Sequence, residues 1–201
     1  VSLSKINDST KAFRIGADEV GYGSWAGPVV VCGVKAPKDW NLAGLNDSKK
    51  LSEAKRSTMY SKLLKLNEEK EISFHIAERS NTHIDKVGLG VALKEAYVEV
   101  FKNLYTTDSL IISDGILKFD NLGVDDYDMI SLIKADTLIP TVMAGSIIAK
   151  QYRDTIMKLL HNKYPLYDWV NNVGYGAAKH KVALKLHGFT PLHRMSYKIK
   201  L

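Results

Sequence analysis

Cysteine is almost missing from this chain: 201 residues contain one, Cys32. A lone thiol excludes an internal disulfide and a cysteine-based zinc site. Cys32 sits in the run Val29-Val30-Val31-Cys32-Gly33-Val34, where a buried and inert thiol is expected. Long hydrophobic runs are missing as well. That run is among the longest, and it falls far short of the ~20 residues that span a bilayer, so no membrane association is expected. No basic-then-apolar leader opens the sequence, which argues against secretion and for the cytoplasm. No repeat, low-complexity stretch or Pro/Gly-rich linker divides it, so one domain over residues 1–201 is expected. With 45% apolar and 25% charged residues, neither a disordered nor a collagen-like chain is tenable.

The last absence is of negative charge. Residues 169–201 have no Asp or Glu, but hold Lys179, Lys181, Lys185, Arg194, Lys198 and Lys200. The preceding residues balance 22 basic against 22 acidic side chains, so the net charge of +6 belongs wholly to this last stretch. His180, His187 and His193 lie there among Trp169, Tyr175, Phe189 and Tyr197. Basic side chains interleaved with aromatics suit a polyanion whose sugars or bases offer stacking faces. A solubilising charged tail has the same composition.

Hydrophobic periodicity gives the elements. Phe13–Val20 reads as a strand ended by Gly21 and Gly23, and Val29–Lys35 as its hairpin partner. Ser52 suits the N-cap of a helix to about Leu66, with Met59 and Leu63 on one side. Ile72, Phe74 and Ile76 alternate with polar or small residues as in a third strand. Val91–Tyr105 is helical in pattern. Leu110-Ile111-Ile112 is a buried-type strand that delivers Ser113 and Asp114, and Met129–Ile133 repeats the design to deliver Lys134 and Asp136. Pro140 suits the first turn of a long helix to about His161, and Ala177–His187 a final helix closed by Gly188. The class is α/β: a mixed central sheet flanked by helices, with a C-terminal helical segment.

Three of these strands end in acid: Asp18-Glu19, Asp114 and Asp136. Functional groups of open α/β sheets collect beyond strand ends. Four converging carboxylates repel one another unless a cation neutralises them, and all-oxygen donors select Mg²⁺ or Mn²⁺ over zinc. Two such ions roughly 3.5–4 Å apart would suit phosphoryl transfer. Scattered surface acids are the alternative. Adjacent residues of a regular strand face opposite ways, so Asp18 and Glu19 share one site only if the strand breaks at Glu19. Gly21-Tyr22-Gly23-Ser24-Trp25-Ala26 mimics a dinucleotide fingerprint, but a strand follows it where that motif needs a helix.

The ordered set of motifs resembles ribonuclease HII, the type 2 ribonucleases H. It comprises Gly16-Ala17-Asp18-Glu19-Val20-Gly21-Tyr22-Gly23, Ala26-Gly27-Pro28, Asn46-Asp47-Ser48-Lys49-Lys50-Leu51, Ser113-Asp114-Gly115, Lys134-Ala135-Asp136, Ala144-Gly145-Ser146-Ile147, Arg153-Asp154, Gly174-Tyr175-Gly176 and His193-Arg194. The resemblance implies a ribonuclease H-like fold, hydrolysis of the RNA strand of RNA/DNA hybrids, and incision of duplex DNA 5′ to an embedded ribonucleotide. It implies Asp18, Glu19, Asp114 and Asp136 as catalytic metal ligands for Mg²⁺ or Mn²⁺. It also implies that Gly21–Gly23 and Tyr175 sense the sugar, whose 2′-hydroxyl separates RNA from DNA. Lys49 and Lys50 are expected on phosphates, the alternative being exposed lysines before a helix. Ser146, Lys150 and Arg153 at i, i+4 and i+7 share a helix face that follows a nucleic-acid backbone or is simply solvated. Arg194 is expected on a phosphate or on an acid, and His180 in a structural hydrogen bond. The basic C-terminal stretch is expected to fold against the sheet as one wall of a duplex groove. The protein is expected to act as a monomer.

Three departures stand out. The family's Gly-Arg-Gly is Gly21-Tyr22-Gly23 here, removing a cation beside the scissile region and putting single-ribonucleotide recognition in question. Ribonuclease HIII also lacks that arginine and prefers hybrids, but it lacks the tyrosine and carries an extra N-terminal domain for which this chain has no length. Val173 and Ala177 replace a lysine and a threonine that flank Tyr175 in the family. Gly145 replaces an alanine, a change expected to loosen its helix by ~1 kcal/mol. No metal acid is lost, which argues against a catalytically silent duplex-binding module.

Overall fold

The structure, a computed structural model, describes residues 3–46, 48–114 and 119–200. Asp47 and Gly115 of the motifs above lie outside the described residues. After a short helix α1 (Leu3–Asn7), β1 (Phe13–Val20) and β2 (Val29–Pro37) pair antiparallel, with Phe13 opposite Pro37 and Val20 opposite Val30. α2 (Glu53–Glu68) follows, capped by Ser52, whose hydroxyl accepts from the Lys55 amide at 3.4 Å. β3 (Ser73–Arg79) then adds antiparallel to β2. α3 (Asn81–Val87) and α4 (Leu89–Leu104) are separated by Gly88 at φ +84. β4 (Ser109–Asp114) and β5 (Met129–Leu132) complete the sheet in the order β3-β2-β1-β4-β5, with β1, β4 and β5 parallel. A 3-10 turn (Ala135–Thr137) leads to the 24-residue α5 (Pro140–Lys163); α6 (Trp169–Asn172) and α7 (Ala178–His187) end the fold.

The unbroken valine run of β2 follows from burial on both faces. Val29 and Val31 pack with Ile15, Ala17 and the α4 residues Leu93, Ala96, Val100 and Phe101. Val30, Cys32 and Val34 pack on the other face with Ala144, Ile147 and Ile148 of α5 and with Met59 and Leu63 of α2. Cys32 is fully buried, and burial pushes its thiol pKa up, so it is held as an unreactive thiol. α5 crosses the sheet at unusually close range. A Cβ on Gly145 would fall 2.7 Å from the Cys32 carbonyl oxygen, and one on Gly16 would fall 2.3 Å from the Val142 nitrogen. Gly145 is therefore a close-approach residue, and the expectation that it merely loosens its helix is corrected.

The C-terminal segment packs on α5 and on the loop between β1 and β2, and its Tyr197 also lies against the cluster that holds Ile15, Ala17, Val29 and Val31 of the sheet. Trp169, Ala183 and Leu184 form a cluster with Met157 of α5, Ala26 and Tyr167, and Ala26 bridges to His193. Among the described residues, no helix is long and apolar enough to cross a membrane.

Candidate active site

Because β1, β4 and β5 run parallel, their carboxyl ends share one edge. Ala17 of β1 pairs with Ser113, and Ser113 with Ser131. One residue further on, Asp18 and Asp114 leave neighbouring strands side by side. Asp136 follows in the 3-10 turn beyond β5, after Lys134 turns the chain at φ 63. β1 does not break at Glu19, as a shared site had required: Asp18 stays opposite Cys32, Glu19 opposite Val31 and Val20 opposite Val30. The intact ladder sends the two side chains to different faces. Asp18 lies toward Ser146 of α5, whereas Glu19 reaches α4, where the Tyr97 hydroxyl donates to its Oε2 at 2.5 Å.

Electrostatics still ties the acids together. Burial, and then the charge of Glu19, push the Asp18 carboxyl up to about 7; Ser146, the Glu19 amide and Lys49 act in the opposite direction. The Tyr97 phenol is driven well above its ordinary pKa by burial and by Glu19, Asp18 and Asp114, so three carboxylates act on one hydroxyl. Asp114 Oδ1 accepts from the Ala135 amide at 2.8 Å, and Lys49 Nζ lies 3.6 Å from Asp136 Oδ2. Lys49 thus joins Asp136 to Asp18. Among the described residues, no group of three or more Asp, Glu, His or Cys side chains is drawn to the spacing of a shared metal ion. Each carboxylate instead engages a donor or cation of its own, the arrangement expected of like charges that repel. The donor set is entirely oxygen, and a buried acid with a raised pKa is one that added positive charge would relieve. By chemistry, the four fit a hard divalent cation.

Just beyond the end of β1, two loops meet. Gly21 adopts φ +90, a conformation that L side chains rarely adopt, and its amide donates to Tyr175 Oη at 3.1 Å. The Tyr22 side chain is 56% exposed, while its carbonyl accepts from Arg194 Nη1 and Tyr197 Oη, each at 2.9 Å. A Cβ on Gly23 would meet nothing within 4 Å, so this backbone lies open to a ligand.

The ribonuclease HII family model matches residues 15–200. The chain belongs to the ribonuclease HII family. The ribonuclease HII of Clostridium beijerinckii is 42% identical over 191 residues, covering 92% of this chain. The chain spans 67% of that relative's length, and about two thirds is typical of the first relatives it matches. Among solved structures, the ribonuclease HII of Archaeoglobus fulgidus, seen in its PCNA complex, superposes with a TM-score of 0.75 at 24% identity, covering 94% of this chain and 96% of that one. Bst-RNase HIII in complex with Mn²⁺ superposes at 0.72 with 18% identity, covering 96% of this chain and 69% of that one. The ribonuclease H-like α/β fold is thereby shown.

Within this ribonuclease HII fold, several sequence-expected contacts are corrected. Arg153 is fully buried and makes no surface for a phosphate. Its guanidinium donates to the carbonyls of Pro28 (2.8 Å), Val173 (2.8 Å) and Ala26 (3.0 Å) and to the Ser24 hydroxyl (2.7 Å). Arg194 is buried as well and, among the described residues, forms no salt bridge; it donates to the carbonyls of Gly27 and Tyr22 and to Tyr197 Oη. Both arginines fix the loop at 21–28 from behind. Nothing around them in the sequence signalled burial, because charge reads as exposure by default. Ser146 is buried and shares a 2.8 Å hydrogen bond with Ser48, and Lys150 pairs with Asp154 at 2.8 Å. Their helix face is turned inward rather than solvated. Lys49 and Lys50 are exposed.

His180 takes the structural role expected of it. Its Nδ1 bonds the Tyr175 carbonyl at 2.9 Å, and its Nε2 meets His193 Nε2 at 3.0 Å; His193 Nδ1 in turn accepts from the Thr190 amide at 2.8 Å. This chain is consistent only with two neutral rings, and burial lowers both pKa values, that of His193 to about 4. Tyr97 was missed altogether, since a tyrosine at a core position of an apolar helix face reads as packing alone.

Proposed function

We propose that this chain is a metal-dependent endoribonuclease that hydrolyses the RNA strand of RNA/DNA hybrids and incises duplex DNA 5′ to embedded ribonucleotides, leaving 5′-phosphate and 3′-hydroxyl ends. The observation that supports this reading is that Asp18 and Asp114 leave neighbouring parallel strands side by side with Asp136 in the turn beyond β5, while Glu19, next to Asp18 but on the other face of β1, still acts on it through its charge. Asp18, Glu19, Asp114 and Asp136 would hold Mg²⁺ or Mn²⁺. Bound there as a pair, such ions lower the pKa of a water and stabilise a departing 3′-oxygen.

The chain's own residues supply selection and positioning. Tyr175, held by Gly21 on one side and by His180 on the other, presents its ring to the sugar, and the open backbone at Gly23 approaches the 2′-hydroxyl. Exposed Lys49 and Lys50 serve as phosphate contacts. Arg153 and Arg194 act behind the loop, holding the glycines in place. The exposed Tyr22 gives no cation where the family has arginine, which favours hybrids over isolated ribonucleotides.

Incubation with Mg²⁺ or Mn²⁺ and three duplexes tests this: all-DNA, DNA with one ribonucleotide, and an RNA/DNA hybrid. Cleavage is expected of the last two only, with the hybrid preferred, and Tyr22→Arg should shift the ratio toward the single ribonucleotide. If neither ribonucleotide-containing duplex is cut, the enzyme reading fails.

A further inference from the structure

Glu19 poses a problem of its own. It leaves a regular strand on the face opposite Asp18, so nothing in the strand itself aims its carboxylate toward the edge where Asp18 and Asp114 stand. A glutamate has three rotatable bonds, and an unrestrained one so placed would spread over many rotamers. The group that restrains it comes from α4. Tyr97 is fully buried, and its ring is wedged between Phe101 and Phe119 at centroid distances of 5.7 and 5.8 Å. Phe101 and Phe119 themselves meet edge-on at 5.4 Å, closing the cluster. The phenol of Tyr97 therefore has one fixed direction, and along it lies Glu19 Oε2 at 2.5 Å.

We propose that Tyr97 is a positioning residue for Glu19: its immobile hydroxyl occupies Oε2, sets the plane of the carboxylate and leaves Oε1 for a cation. The inference rests on the metal-dependent reading above and deepens it. A donor of this kind fixes the orientation of a ligating carboxylate, and its loss typically weakens metal affinity about 10–100-fold. Tyr97 touches neither substrate nor ion in this scheme; it acts through Glu19 alone.

Tyr97→Phe keeps the ring and removes only the hydroxyl, so the aromatic cluster is preserved. Direct Mn²⁺ binding to the full chain, followed without nucleic acid by calorimetry or by the electron paramagnetic resonance of free Mn²⁺, is the primary readout. It is measured for the wild type, Tyr97→Phe, Glu19→Gln, the double variant and Asp114→Asn. We expect Tyr97→Phe to weaken Mn²⁺ about tenfold, to leave hybrid binding in EDTA unchanged, and to add less than about twofold in the Glu19→Gln background. A normal loss in Asp114→Asn with none in Tyr97→Phe would overturn the role of Tyr97 alone. Losses that simply multiply in the double variant would also overturn it, because Tyr97 would then act independently of Glu19. Equal binding by the wild type and Asp114→Asn would instead overturn the metal reading, and this inference with it.

Discussion

A guanidinium with no exposed surface has to be explained by what it holds. Arg153 reaches four acceptors spread over the loop at 24–28 and the turn at Val173. Burial lowers its pKa only to about 10, so it remains charged at neutral pH, and no carboxylate faces it as a bonded partner. The charge is spread over carbonyl dipoles instead. Removing it takes a donor from the carbonyls of Pro28 and Val173 and from the Ser24 hydroxyl, while the Ala26 carbonyl keeps the Ser24 hydroxyl, at about 1–3 kcal/mol for each group left unsatisfied. Arg153→Ala should therefore lose at least ~3 kcal/mol in denaturant unfolding, or roughly 10 °C in Tm for a chain of this size, while Lys50→Ala should lose almost none. A Tm within 2 °C or so of wild type would contradict the clamp. The four acids were legible as acids at strand ends, whereas Tyr175 and the role of Gly21–Gly23 came only from the resemblance to the family. Arg153, Arg194 and Tyr97 were misread or missed because their roles depend on burial and on partners distant in the chain.

At the level of elements, periodicity was enough for the strands and the long helices. β1 spans Phe13–Val20 as its pattern indicated, and α5 begins at Pro140 and ends two residues past His161. Short pieces such as α1, α3 and α6 were not legible, since four to seven residues carry too few turns to show a period. The condition set for Asp18 and Glu19 to share one site, a break in the strand at Glu19, is not met, because the pairing of β1 with β2 persists through Val20. The apolar contacts of the C-terminal segment to Met157 of α5 were not legible, because its charge concealed them.

That segment also carries a pH dependence. His193, with its partner His180, is neutral in the folded chain, and its pKa falls from the ordinary 6.5 to about 4. Between those values the unfolded chain binds more protons than the folded one, so stability falls as pH drops from 6.5 toward 4 and levels off below. Protonation of His193 adds a proton at Nδ1, where it can no longer accept from the Thr190 amide. Tm measured across this range should fall more steeply in the wild type than in His193→Gln. Parallel profiles would show that the histidine pair carries no such linkage.

For the whole molecule, the account turns on one end of one sheet. The parallel arrangement of β1, β4 and β5 brings the backbone of positions 18, 19, 114 and 136 to a single end, and the loop at 21–28 is held by Arg153 of α5 and by Arg194, from the stretch that carries all the excess positive charge. Affinity for duplex should thus reside in the basic segment and loops, and turnover in the carboxylates. Asp114→Asn separates the two most directly. In Mg²⁺ it should cleave an RNA/DNA hybrid at least ~100-fold more slowly than wild type, while binding the same hybrid equally well in EDTA. Cleavage at a wild-type rate by Asp114→Asn would contradict the central claim.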